Sequence, residues 1–131
     1  MFSDCLIDIN SWIEFALEQG YERIILSGHS LGTEKVIYYM TYGKYTDKVS
    51  ALVLLAPATS PGSEPILVKD YEEKLESARV LIQEGKGKVF LDRNAYGGIM
   101  PKSAESYVDF SDLNPKFDDA LPFHKKHLSS F

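Results

Sequence analysis

An α/β fold built on parallel strands is predicted by three observations within residues 1–59. An amphipathic run is followed by a short aliphatic run, "RIILS". A second helix-like run follows that, and a longer aliphatic run, "VSALVLLAPA", comes next. The order helix, strand, helix, strand places the two strands side by side and parallel, joined by a right-handed crossover helix.

Each element has its own justification. From Ser3 to Gln19 the apolar residues Cys5, Leu6, Ile9, Trp12, Ile13, Ala16 and Leu17 recur at three- and four-residue steps, the period of one helix face. Ser3 is placed to cap the start, and Gly20 to take the left-handed conformation just past the end. Arg23–Ser27 and Val49–Ala58 are β-branched and aliphatic without polar alternation, the texture of strands covered on both faces. Leu31–Tyr42 reads as a helix closed by Gly43. After Pro57, "ATSPGSEPI" marks a loop leaving the sheet. Tyr71–Glu84 is a helix with Leu75, Ala78, Arg79 and Ile82 near one face, stopped at "GKGK". Beyond it lie a weak apolar run, "KVFL", and a short helix that Ser103 can cap. The expected division is therefore a core segment over residues 1–59 and a mostly helical segment over 60–131.

Composition excludes several classes of function. The 131 residues carry a net charge of -5, with 44% hydrophobic and 25% charged residues, proportions of a folded globular chain. The longest basic cluster, Lys125-Lys126, is too small to track a phosphate backbone, so no nucleic-acid partner is expected. The apolar runs are too short to span a bilayer. Asp4, Asp8, Glu14 and Glu18 interrupt the stretch where a secretory signal would need an apolar core. A single cysteine, Cys5, forms no intramolecular disulfide and sits on the apolar stripe as packing. A cytoplasmic protein is expected.

The chemistry is concentrated in Gly28-His29-Ser30-Leu31-Gly32, a GxSxG pentapeptide between a strand and a helix. A serine hydroxyl needs a base to become a nucleophile, so it must project from a tight turn where a base on another loop can reach it. Such a turn crowds the positions two before and two after the serine, and Gly28 and Gly32 remove the side chains expected to collide there. The Leu31 N–H, first in the following helix, is placed to face a developing oxyanion with the helix dipole behind it. His29 reads as a structural neighbour rather than a base. The spacing lacks the GxGxxG or Walker pattern of phosphate binding, and neither cofactor nor metal is expected.

With these residues the chain resembles the α/β-hydrolase superfamily. "DCLIDINSWIEFALEQGY", "RIILSGHSLG", a helix and "VSALVLLAPA" are similar to the middle of that fold, and residues 60–131 resemble, more loosely, the helical cap of many members. The fold class implied is a fragment of an α/β-hydrolase fold, with parallel strands, crossover helices and a cap segment. The resemblance implies a serine hydrolase of small-molecule esters or amides, acting through an acyl-enzyme on Ser30. It also implies an acid and then a histidine later in the chain, and an early loop supplying a second oxyanion donor. Only His124 and His127 follow Ser30, both in "LPFHKKHLSSF", and Asp92 follows only the weak "KVFL" run. The base, the acid and the second donor are therefore expected outside this stretch of sequence. The alternative is a non-catalytic, hydrolase-like binding or scaffold module.

Overall fold

The computed structural model describes residues 1–57, 65–66, 68–93, 96 and 101–112. The chain divides into two compact units, one built on Ser3–Thr59 and the other on Ser60–Lys116 together with Met1–Phe2.

The first unit opens with helix α1, Cys5–Glu18. Ser3 is not its cap. It lies inside a 3-10 turn, Phe2–Asp4, that runs directly into the helix, and Asp4 at the junction makes no side-chain capping bond. The other end follows the sequence: Gly20 takes φ +86°, with Tyr21 N–H donating to Ala16 O and Gly20 N–H to Leu17 O. That pair of bonds is a Schellman stop, which satisfies carbonyls the helix leaves open. Cys5 and Ile13 are buried and Ile9, Ala16 and Leu17 half-buried. Trp12, expected on the buried stripe, is instead 72% exposed, with its ring edge-on to exposed Phe15.

Strand β1, Ile24–His29, is paired in parallel with β2, Val49–Leu55, from Ile24 beside Val49 to His29 beside Leu55. Helix α2, Leu31–Tyr42, connects them through a short 3-10 turn at Thr46–Lys48 and packs on β1. β1 runs two residues further than the aliphatic text implied, so it delivers the chain straight to Ser30. β2 ends before the expected Ala58, because Ala56 turns the backbone to φ +47°. The strands were expected to be covered on both faces. Only one face is: Ile24, Leu26, Leu52 and Leu54 are half-buried, whereas Ile25, Val53 and Leu55 are exposed.

The core of this unit lies along α2. Val36, Ile37, Tyr38 and Tyr39 are buried. The Tyr39 hydroxyl donates to Asn10 Oδ1 at 2.8 Å and accepts from Tyr45 N–H at 3.0 Å, while Asn10 Oδ1 also accepts from Lys44 N–H at 3.2 Å. Helix α1, helix α2 and the turn before β2 are thus joined at one buried phenol.

In the second unit, helix α3, Tyr71–Gln83, packs on helix α4, Ala104–Ser111. Tyr71, Leu75, Ala78, Val68, Leu91, Ala104 and Tyr107 form their shared core. Ile82, expected on the packed face of α3, is exposed, and Arg79 reaches Asp112 in a 2.8 Å ion pair. Gly85 at φ +76° closes α3 with a second Schellman stop, through Lys86 N–H to Leu81 O and Gly85 N–H to Ile82 O. The "KVFL" run contributes one antiparallel bridge, Phe90 with Ser103, rather than a strand. Ser103 caps α4 by accepting from Ser106 N–H at 3.2 Å. Among the described residues, no helix is long and apolar enough to cross a membrane.

Candidate active site

The end of β1, the first turn of α2 and the end of β2 meet at Ser30. Its backbone sits at φ +51° and ψ −123°, a region that costs a non-glycine residue about 1–3 kcal/mol and persists only where surrounding bonds over-determine it. Those bonds are present on both sides of the residue. Ser30 N–H donates to Leu55 O at 3.0 Å. Ser30 C=O accepts from Thr33 N–H at 2.9 Å and from Thr33 Oγ1 at 2.6 Å.

Gly28 has a specific reason to be glycine. A Cβ there would meet the Gly32 carbonyl oxygen, would lie 2.5 Å from the Gly32 carbonyl carbon and 2.7 Å from the Thr33 nitrogen. The turn closes only because that atom is missing. Gly32 does not share the reason: a Cβ on it would meet nothing within 4 Å. The crowding expected at both glycines is one-sided, because Gly28 is pressed against the backbone of Gly32 and not against its side-chain position.

Ser30 occupies the N-cap position of α2, where a serine ordinarily accepts a bond from an amide of the first turn. Here its side chain makes no capping bond, and the residue is exposed. The Thr33 amide is satisfied by the Ser30 carbonyl instead, which leaves the hydroxyl available. The Leu31 N–H belongs to the first turn, whose amides have no carbonyl partner within the helix, and the positive end of the helix dipole lies there. His29 is the last residue of β1 and is exposed.

Three residues at this site carried no flag in the sequence. Thr33 is fully buried. A Ser/Thr that can back-bond to a carbonyl three residues earlier is a recognisable signal, and Ser30-x-x-Thr33 fits it. Glu34, also buried, sits in the first helical turn, where the dipole favours a negative group. Ala56, in left-handed backbone beside the carbonyl that anchors Ser30, has no signal at all, since alanine is not a residue that favours positive φ. Asp92 is exposed in the second unit. His124 and His127 lie outside the described residues.

No curated protein and no solved structure matches the chain. A family does: the model of Hydrolase_4, described as serine aminopeptidase, S33, matches residues 1–109. That span takes in α1, the parallel strand pair, the Ser30 turn and α3, and ends within α4. The chain therefore belongs to this hydrolase family of the α/β-hydrolase superfamily, and its parallel strand pair with connecting helix is part of that fold.

Proposed function

We propose that Ser30 is the nucleophile of a serine hydrolase acting on carboxylic esters or amides. The supporting observation is the strained backbone of Ser30 at the strand-to-helix junction, held by Leu55 and Thr33 and permitted by Gly28. Strain of this kind serves no packing purpose at an exposed residue, whereas it projects a hydroxyl clear of the sheet. In the reaction, Ser30 Oγ bonds to the substrate carbonyl carbon as its proton passes to a histidine base. The carbonyl π electrons move onto oxygen, and the Leu31 N–H stabilises that oxyanion. Collapse of the intermediate expels the alcohol or amine, which takes the proton from the histidine, and water then releases the acyl group by the reverse path. The family's description as a serine aminopeptidase supports including peptide bonds among the amides to be tried. On the same reading, residues 60–131 are the cap segment of such a hydrolase.

The test is labelling of the full-length protein with a fluorophosphonate probe, with the modified residue mapped by mass spectrometry. Label on Ser30 that disappears in Ser30→Ala is the expected result. A folded protein that takes no label at Ser30 overturns the assignment and leaves a hydrolase-like binding module in its place.

A further inference from the structure

We propose that Thr33 is a positioning residue for the oxyanion-binding amide of Leu31, an inference that rests on Ser30 being the nucleophile. The Ser30 carbonyl and the Leu31 N–H are the two ends of one peptide group. That group is planar and trans, so its C=O and N–H point in opposite directions and turn together. Whatever fixes the carbonyl therefore aims the amide. Two donors from a single residue fix it: Thr33 N–H at 2.9 Å and Thr33 Oγ1 at 2.6 Å. The backbone donor is what any residue except proline would supply at this position. The hydroxyl is not, and it is the shorter of the two bonds.

Thr33 is suited to hold that position. It has no exposed surface, so water does not compete for its hydroxyl, and its branched Cβ restricts the side chain to few rotamers. On the other side of Ser30, the bond from its N–H to Leu55 O anchors the preceding peptide to the end of β2. The peptide that carries the Leu31 N–H is thus gripped at its carbonyl, while the amide end stays open to a ligand. Hydrogen bonds accepted by a carbonyl also polarise the peptide and strengthen its N–H as a donor. Both effects act on the oxyanion and not on the neutral substrate carbonyl to the same degree, so they belong to the chemical step rather than to binding.

The variants are Thr33→Val, which keeps the shape and removes the hydroxyl, and Thr33→Ser, which restores it. In the full-length protein the fluorophosphonate reaction is resolved into a binding constant and a maximal rate of modification. Thr33→Val should lower the maximal rate roughly three- to tenfold, the weight of one hydrogen bond, and leave the binding constant unchanged. Thr33→Ser should recover most of the rate. Amide hydrogen exchange gives a second readout that needs no chemistry: the open Leu31 N–H, made more acidic by the bonds its peptide carbonyl accepts, should exchange more slowly in Thr33→Val than in the wild type or Thr33→Ser. Equal rates of modification in wild type and Thr33→Val overturn the role of Thr33 while leaving the nucleophile in place. A wild-type protein that takes no label at Ser30 overturns the nucleophile, and the role of Thr33 falls with it.

Discussion

Ser30 and Gly28 divide the cost of the turn between them, and the division can be measured. At an ordinary helix position glycine is less stable than alanine by about 0.5–1 kcal/mol, because it loses more backbone freedom on folding. At φ +51° and ψ −123° the order should invert. Ser30→Gly is expected to be about 1 kcal/mol more stable than Ser30→Ala, since only glycine relieves the strain. Urea unfolding of the two variants decides it, and the usual order would mean that the turn is unstrained. Gly28 and Gly32 form a second contrast. Gly28→Ala places a methyl against the Gly32 and Thr33 backbone and should cost about 1–3 kcal/mol or more, as forced overpacking does. Gly32→Ala enters open space inside α2 and should gain roughly 0.5–1 kcal/mol through helix propensity. Thermal denaturation of the pair reads both signs. A loss at Gly32 equal to that at Gly28 would restore the symmetric crowding that the pentapeptide alone suggests.

At the scale of elements, the period of the apolar residues carried most of what was legible. Both helices of the first unit, the parallel strand pair and the Ser103 cap could be read from spacing and capping chemistry. What spacing cannot convey is which side of an element finds a partner. Trp12 keeps the helical period of the stripe yet lies at its edge in solvent. Val53 belongs to an unbroken aliphatic run yet faces outward. Burial is decided by contacts distant in sequence, and periodicity is local. The same limit hid the Tyr39 junction, whose partner Asn10 lies 29 residues away in the chain. Tyr39→Phe should cost about 1–3 kcal/mol, because the Tyr45 N–H and Asn10 Oδ1 lose a partner where water enters poorly. Burial raises the Tyr39 phenol above its usual value, with the remaining local groups contributing less. A raised folded-state value means the neutral phenol is favoured by folding. The stabilisation it brings is complete below the ordinary tyrosine value of about 10 and disappears as the pH climbs through the raised one. Alkaline unfolding followed at pH 9 to 12 should therefore be shallower in Tyr39→Phe than in the wild type. Identical profiles would remove Tyr39 from the alkaline transition.

At the scale of the whole molecule, the sheet sets the behaviour of the 131-residue chain studied by itself. Parallel strands are ordinarily buried on both faces, and two strands are fewer than independent stability requires. Among the described residues the sheet has two strands, with Ile25, Val53 and Leu55 turned outward and no third strand at either edge. An open apolar face bounded by unpaired strand edges is a template for association. Size-exclusion chromatography of the isolated chain should therefore show self-association that grows with concentration, and Val53→Lys, which places a charge on the open face, should reduce it. Catalysis at this scale follows the same logic. As the proposed nucleophile, Ser30 would need a base and two oxyanion donors to turn over substrate, and on that proposal the described residues supply the hydroxyl and one amide. Losing one donor alone costs on the order of 10²–10³ in rate, and losing the base removes most of the remainder. The isolated chain should hydrolyse p-nitrophenyl acetate no faster than its own Ser30→Ala variant. A monodisperse monomer with Ser30-dependent turnover would show that residues 1–131 assemble a complete site.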